Sequence, residues 1–139
     1  MSNGPDLAEL RVTFDAEVIR AYGGSSGGFH SDEAVAESRG YPRLVSWGTL
    51  TVLPFWELIG RIAGCDWPIG CTLSVRLLKP VCAGDEVVYT IRAHPAASDE
   101  PTGRTSFELI AVTSRYGVVA TAQATVGSPD VTHNSQGGN

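Results

Sequence analysis

Apolar and polar residues near the start of the chain alternate with the period of an α-helix. In the segment from Asp15 to Tyr22, Val18, Ile19 and the final tyrosine share one face, and the aspartate at its start can cap the helix. A second helix is predicted from about Ser31 to Ser38, because its first serine is a good cap and Gly40 follows its end. Two short helices therefore precede the middle of the chain.

A longer apolar pattern predicts a third helix that begins near Trp47 and ends at about Ala63. Its apolar positions recur at roughly helical spacing: Leu50, Leu53, Ile59 and Ile62. Pro54 lies inside this pattern, where a proline removes one backbone hydrogen bond and clashes with the preceding turn. Either the helix is kinked at Pro54, or Pro54 begins a separate helix after an irregular start.

After Gly64 the hydrophobic period changes from that of a helix to that of a strand. Alternating segments follow, with turns between them and a loop at 95–103; they run through Leu73–Leu77, Val87–Ala93, Phe107–Val112 and Val118–Val126. Three or four antiparallel strands after a buried helix predict a single α+β domain, in which the sheet wraps around that helix.

Size and charge restrict the class of protein. The chain has 139 residues, of which 42% are hydrophobic, and this suffices for one core but not for two ordinary domains. Its formal net charge of -5 gives no basic face for nucleic acid. The uncharged run at 44–56 is shorter than the roughly 20 residues that a bilayer requires. We expect neither a nucleic-acid nor a membrane partner, and a cytoplasmic location, because no secretory signal begins the chain.

Neither the cysteines nor the ends of the chain predict a site. The three cysteines lack metal-ligand spacing, so we expect buried thiols, no metal and no cofactor. Residues 1–8 are predicted to be a flexible N-terminus, 9–127 the folded domain and 128–139 a disordered polar tail. The glycine-rich run at 23–28 follows a helix rather than a strand, which favours a flexible loop at a site over a phosphate-binding loop.

The segment Phe29–Leu50, FHSDEAVAESRGYPRLVSWGTL, carries a similarity to a known family. A histidine, a short polar helix, a Gly-Tyr-Pro turn and an uncharged helix start follow one another, and this order resembles the MaoC-like hydratase/dehydratase family of hotdog folds. His30 stands at the position of that family's catalytic histidine, and Gly48 at the glycine that opens its central helix. The segment LLKPVCAGDEVVYTIRA at 77–93 resembles a second family landmark, a strand end followed by a glycine-aspartate turn. Together the two similarities cover about residues 12–126.

The resemblance implies a lyase that adds water to an acyl thioester or removes it. This reaction moves one proton at the α-carbon and one at the β-oxygen, and a positioned histidine can transfer either, so His30 is the candidate acid/base. The enolate oxygen that develops requires N–H donors, which the start of the third helix at Ser46, Trp47 and Gly48 can supply. The glycine also lets a ligand approach the backbone closely.

The sequence departs from the family at the catalytic aspartate, where Ser25 stands instead. Ser25 or Ser26 can replace the aspartate as a hydrogen-bonding group, but neither holds a negative charge at neutral pH. Three interpretations follow. His30 acts alone in hydration or elimination, or it catalyses a related isomerisation or cyclisation, or the site only binds its ligand.

Aromatic residues near the histidine add further candidates. Trp47 stands where the family often has a small polar residue or a histidine. Its indole either belongs to the core, or it narrows the acyl tunnel or stacks on an aromatic or polycyclic substrate. Tyr22 and Tyr41 flank the segment, and each is a candidate either for packing or for a substrate contact.

The resemblance also implies partners. The substrate would be a small molecule or an acyl group linked to pantetheine, on coenzyme A or a carrier protein, including polyketide-type intermediates of secondary metabolism. Hotdog domains generally pair, so we expect a homodimer. The alternative is a non-catalytic subunit that pairs with a sister hotdog chain carrying the complete Asp/His set.

Overall fold

The computed structural model describes residues 5–23, 28–64, 70–94 and 105–127. These residues contain three helices and five strands. In chain order they are β1 (Ala8–Thr13), α1 (Ala16–Gly23), α2 (Glu33–Ser38), α3 (Gly48–Ala63), β2 (Cys71–Leu77), β3 (Glu86–Ala93), β4 (Thr105–Thr113) and β5 (Gly117–Val126). The strands form one antiparallel sheet in the order β1-β3-β4-β5-β2. The predicted α+β architecture is confirmed.

The sheet buries α3, which packs against β1, β3 and β5. The buried side chains of α3 are Leu50, Thr51, Pro54, Phe55, Leu58 and Ile59. Phe55 meets Tyr89 of β3 edge to face at 5.3 Å, and the Tyr89 hydroxyl donates to the carbonyl oxygen of Thr51 at 2.6 Å. Because burial of one such apolar side chain stabilises the fold by about 1.5–3 kcal/mol, this interface is the core of the domain.

Pro54 lies within one continuous helix, so it does not begin a separate helix. The structure thereby excludes the separate helix, one of the two alternatives that the sequence left open for this segment. Proline breaks one backbone hydrogen bond of a helix, but the buried apolar face of α3 continues through it, with Leu50 and Leu58 on either side.

The caps of the two short helices agree with the sequence in one case and differ in the other. Asp15 accepts the N–H of Val18 at 2.9 Å, as predicted. Asp32 is the N-cap of α2 and accepts the N–H of Ala34 at 2.9 Å, so the prediction of Ser31 as the cap was wrong. Aspartate and serine cap helices about equally well, and local sequence does not choose between adjacent candidates.

β1 is an element that the sequence analysis missed, and it corrects the predicted N-terminal boundary. Ala8 pairs with Ile91, and the N–H of Leu7 donates to the carbonyl oxygen of that isoleucine at 2.7 Å. Residues 7 and 8 therefore belong to the sheet rather than to a flexible N-terminus. In β1, Ala8, Leu10 and Val12 alternate with Glu9, Arg11 and Thr13, which is the pattern of a half-buried strand, although no element was predicted for this segment.

A β-bulge changes which face of β5 is buried. Ala111 pairs with Ala120, but the next pair is Val112 with Val118, so the register shifts there. Val119 is consequently buried and Val118 is 41% exposed, whereas strict alternation predicted that Val118 faces inward. The predicted loop at 95–103 and the predicted tail at 128–139 lie outside the described residues.

Cys82 is buried and Cys71 is partly buried, and burial raises the pKa of both thiols. Cys65 lies outside the described residues. In the described ranges, no group of three His, Cys, Asp or Glu side chains is placed to hold a metal ion. The helices in these ranges are all too short or too polar to cross a membrane.

Burial raises the pKa of the Tyr89 phenol above its ordinary value of 10.0, because the phenolate would lose its hydration. Above about pH 10, the Tyr89 phenol releases its proton in the unfolded chain but retains it in the folded protein. The folded state therefore loses stability as the pH rises, by up to about 1.4 kcal/mol per pH unit. We expect Tyr89→Phe to make the free energy of unfolding fall less steeply with pH above about pH 10. Urea denaturation across that pH range measures the slope.

Tyr116→Phe is the control, since it removes a hydroxyl from a tyrosine that is only partly buried, whereas Tyr89 is fully buried. Equal slopes for the wild type and Tyr89→Phe would contradict the assignment of the alkaline loss to Tyr89.

Candidate active site

Backbone hydrogen bonds hold the segment between α2 and α3 against the turn that precedes β3. The N–H of Ser46 donates to the carbonyl oxygen of Val81, and the N–H of Ala83 donates to that of Leu44, each at 2.7 Å. The residues before α3 are therefore fixed to the sheet. They form a rigid platform for the side chains that meet them.

His30 is attached to this platform through its ring. It lies in the turn before α2, and its Nδ1 is 2.7 Å from the carbonyl oxygen of Val45. A carbonyl oxygen only accepts hydrogen bonds, so Nδ1 donates and carries the proton of the neutral ring. Nε2 is then the unprotonated nitrogen, and no group of the described residues hydrogen-bonds it. His30 is thus held in a tautomer that can accept a proton at Nε2.

Aromatic rings surround the imidazole. Trp47 stacks on it with ring centroids 4.0 Å apart and planes 16° from parallel, and Phe29 meets it edge to face at 4.4 Å. The Nε1–H of Trp47 donates to the carbonyl oxygen of Ile19 in α1 at 3.2 Å. These contacts give Trp47 a packing role within the protein, and the indole also lines an apolar cavity, so packing and the narrowing of an acyl tunnel are compatible roles.

A cavity of about 280 Å³ opens beside His30. Polar and small residues in its wall include Tyr41, Ser46, Gly48, Thr51 and Lys79. None of the described residues that line it carries a carboxylate. Histidine is the residue type used most often in general acid–base catalysis, so His30 is the first candidate for that role among these residues.

A second, mostly apolar cavity of about 410 Å³ adjoins the first; its wall consists of Trp47, Gly48, Thr49, Val52, Val75 and Leu77. Gly48 and Leu77 border both cavities. A Cβ atom on Gly48 would lie 2.8 Å from Cδ1 of Leu77. The absence of a side chain at Gly48 therefore allows the leucine to lie directly against the start of α3.

The N-terminus of α3 meets both cavities at Gly48, its first residue. Trp47 is the N-cap, and its side chain accepts no hydrogen bond from the helix. The first backbone N–H groups of a helix have no intrahelical acceptor, and the helix dipole places partial positive charge there. This helix end is suited to an oxygen that develops negative charge.

Ser46 and Thr51 form a buried hydrogen-bonded pair at the base of the first cavity. Thr51 Oγ1 donates to Ser46 Oγ at 2.9 Å, and Ser46 Oγ donates to the carbonyl oxygen of Trp47 at 3.2 Å. The hydroxyl proton of Ser46 is thus already engaged. The pair stabilises the start of α3, and sequence reasoning missed Thr51 because its role depends on one helical turn bringing it beside Ser46.

The remaining predicted residues are placed as follows. Tyr41 lines the first cavity, whereas Tyr22 is 46% exposed and lines neither cavity. Ser25 and Ser26 lie outside the described residues. Two partners of the site, the carbonyl oxygen of Val45 and the side chain of Leu77, have no sequence signal, since any residue supplies a carbonyl and leucines are common.

Two carboxylates follow His30 in sequence, but both are engaged elsewhere. Asp32 caps α2, and Glu33 forms an ion pair with Arg43 at 3.3 Å. Neither lines either cavity. Two basic residues lie near the site: Lys79 lines the first cavity, and Arg39 lies over the Phe29 ring at 5.5 Å.

The Nδ1–H tautomer of His30 is open to direct observation. At a pH where the imidazole is neutral, we expect long-range ¹H–¹⁵N correlation spectra to show a protonated Nδ1 and an unprotonated Nε2, because the Val45 carbonyl accepts from Nδ1. Observation of the Nε2–H tautomer for His30 would contradict this geometry.

The described fold is similar to those of several solved structures. One is an (R)-hydratase from A. caviae involved in PHA biosynthesis, with a TM-score of 0.73 and 23% identity over 93% of this chain and 98% of that chain. Another is the ChsH1-ChsH2 complex from Mycobacterium tuberculosis, with a TM-score of 0.71 and 17% identity over 89% and 95% of the two chains. A third is the MaoC-like dehydratase from Rhodospirillum rubrum, with a TM-score of 0.59 and 22% identity over 88% and 95%.

The sequence matches no protein-family model and no curated protein. At identities of 17–23%, the likeness to these structures concerns the fold. The chain has the hotdog fold that is found in MaoC-like dehydratases and (R)-hydratases, as the sequence predicted.

Proposed function

We propose that the protein is a lyase that hydrates or dehydrates acyl thioesters with His30 as its acid/base residue. The observation that carries the proposal is the placement of His30. Its Nδ1 is held by the Val45 carbonyl, which leaves Nε2 as the proton-accepting nitrogen of the neutral ring, and the ring lines a cavity that Gly48 of α3 also borders. The similarity of the fold to an (R)-hydratase and to a MaoC-like dehydratase supports it.

In the hydration direction, Nε2 of His30 takes a proton from water while the water oxygen bonds to the β-carbon of an enoyl thioester. The electron pair of the carbon–carbon double bond moves toward the thioester carbonyl, which becomes an enolate oxygen. The imidazolium then returns its proton to the α-carbon, giving a β-hydroxyacyl thioester and neutral His30. Because one residue handles both steps, hydrogen and hydroxyl add to the same face. Dehydration follows the reverse path.

The start of α3 is the site proposed for the enolate oxygen. The N–H of Gly48 supplies a donor, and the helix dipole adds partial positive charge. Donors of this type stabilise the negative charge that develops on the oxygen in the transition state, and removal of one donor typically lowers turnover by about 10²–10³-fold.

The adjoining apolar cavity is the proposed site for the acyl chain, since its wall is largely apolar. A pantetheine-linked substrate, on coenzyme A or a carrier protein, would place its thioester between this cavity and His30. Polyketide-type intermediates of secondary metabolism belong to the same chemical class. The reaction would take place in the cytoplasm.

A homodimer is the proposed assembly. β2 pairs with β5 along one edge and, within the described ranges, with no other strand along its second edge. Leu77 and Leu78 at the end of β2 are 52% and 46% exposed. An exposed strand edge beside exposed leucines favours pairing with another chain.

A second candidate function is a non-catalytic subunit that completes a sister hotdog chain. The observation that favours it is the lack of a carboxylate among the described residues that line the cavity. The ChsH1-ChsH2 structure is likewise a complex of two differently named chains. A cyclase or isomerase would use the same histidine without water.

We expect His30→Ala to lower the hydration of short enoyl thioesters by about 10²–10⁴-fold, the usual contribution of an acid/base residue. α-Proton exchange of acyl thioesters in heavy water should fall in parallel, because the same nitrogen transfers that proton. NMR measures both. His94→Ala is the control, since His94 lies at the end of β3 and lines neither cavity.

Two results would contradict the catalytic role. Equal rates for wild type and His30→Ala would exclude His30 as the acid/base residue. Wild-type protein that binds a thioester but neither hydrates it nor exchanges its α-proton would favour the non-catalytic subunit.

Gly48→Ala tests the close approach of a ligand to α3. The added Cβ would lie 2.8 Å from Cδ1 of a half-exposed leucine, Leu77, whose side chain can move aside. We therefore expect little change in melting temperature but a fall in turnover of about 10–100-fold, because the methyl group displaces the thioester from the helix N-terminus.

The double variant Gly48→Ala/Leu77→Ala separates two causes of that fall. It should remain slow, because removal of the leucine leaves the methyl group in the ligand's path. Full recovery of turnover would show instead that displacement of Leu77 was the cause.

A further inference from the structure

Trp47 connects α1 to the candidate acid/base residue. One face of its indole stacks on the His30 ring at 4.0 Å, and its Nε1–H donates to the carbonyl oxygen of Ile19 at 3.2 Å. Its backbone is the N-cap of α3. A single residue therefore contacts the histidine, the first helix and the proposed oxyanion site.

Gly23, the last residue of α1, accommodates the indole. A Cβ atom at this position would overlap the Cε2, Cζ2 and Nε1 atoms of Trp47. Gly23 is not one of the glycines with positive φ, so its backbone conformation is open to other residues. Alanine stabilises a helix by about 0.5–1 kcal/mol relative to glycine. Contact with the indole, rather than backbone geometry, therefore explains the glycine.

Stacking supplies a constraint that the hydrogen bond of His30 does not. The bond from Nδ1 to the Val45 carbonyl favours one orientation of the ring, but a hydrogen bond tolerates a spread of angles, so alone it leaves the ring plane some freedom about the Cβ–Cγ bond. A nearly parallel indole at 4.0 Å opposes this rotation, because a tilted imidazole would collide with it. The two contacts together fix the direction of Nε2.

The identity of the N-cap residue agrees with such a role. Serine, threonine, aspartate and asparagine cap helices through their side chains, and their loss typically costs about 1 kcal/mol. Trp47 makes no side-chain bond to the helix that it begins. A tryptophan at this position therefore does not stabilise the helix as a capping side chain would. Its contact with His30 offers a reason why a tryptophan stands there.

We propose that Trp47, seated against Gly23, is the positioning residue for His30. The indole holds the imidazole plane so that Nε2 points along the path of proton transfer. This inference rests on the proposed function of His30, and it adds the C-terminal end of α1 to the structure that supports catalysis.

Three variants of the full chain test the inference through kcat and KM for an enoyl thioester. Trp47→Leu should lower kcat by about 10–100-fold because Nε2 is misdirected, and it should raise KM as well, because Trp47 also lines the apolar cavity proposed for the acyl chain. Trp47→Phe should recover most of kcat, since a phenyl ring can still stack. Gly23→Ala should also lower kcat, because its methyl group displaces the indole. Ala21→Ser, at an exposed position of α1, is the control and should retain wild-type kcat.

A double-variant cycle tests the role of Gly23 specifically. In Trp47→Leu/Gly23→Ala there is no indole to displace, so kcat should fall no further than in Trp47→Leu alone. Additive losses would overturn the assignment of Gly23 as the seat of Trp47. Wild-type kcat in Trp47→Leu would overturn the positioning role itself.

An NMR readout distinguishes failure of this inference from failure of the proposed function. The ring protons of His30 lie over the indole and should be shifted upfield by its ring current, with that shift lost in Trp47→Leu and altered in Gly23→Ala. If the wild type turns over no thioester but these shifts behave as expected, the proposed function fails and the positioning of His30 by Trp47 is upheld. Unshifted His30 signals in the wild type would overturn the inference.

Discussion

The hydrogen bond from His30 Nδ1 to the carbonyl oxygen of Val45 is the contact on which the candidate site depends. It determines the tautomer of the histidine, because a carbonyl can only accept. It also ties the turn before α2 to the segment that leads into α3. That segment is bonded in turn to Val81 and Ala83 beside the sheet. Nε2 of His30 is therefore positioned by the core of the domain through a short series of backbone contacts.

The start of α3 combines two features that are unfavourable for the helix alone. Its cap is a tryptophan without a side-chain bond to the helix, and its first residue is a glycine. Both conflict with local helix preferences. Each agrees with a site, since no capping side chain occupies the first N–H groups and Gly48 borders both cavities. Conflict between local preference and observed structure is expected where function constrains a sequence.

The environment of His30 is aromatic rather than acidic in the described residues. Phe29 and Trp47 enclose its ring, and the carboxylates of Asp32 and Glu33 are engaged with a helix N-terminus and an arginine. Rings can fix the plane of an imidazole, but they cannot share a proton with it. A catalytic histidine in this setting would carry both proton transfers itself. This distinguishes the site from one in which an aspartate and a histidine divide the work.

The spacing of hydrophobic residues along the chain is a local property, so the sequence alone predicted which segments are helices and which are strands. The α+β class, the extent of α3 and most buried strand positions followed from that spacing. The motif around His30 and Gly48 likewise predicted the candidate site. Tertiary structure decided what depends on contacts between distant residues: the pairing of β1 with β3, the bulge that buries Val119, and the stacking of Trp47 on His30. Register and ring packing arise only when separate segments meet, so no local pattern encodes them.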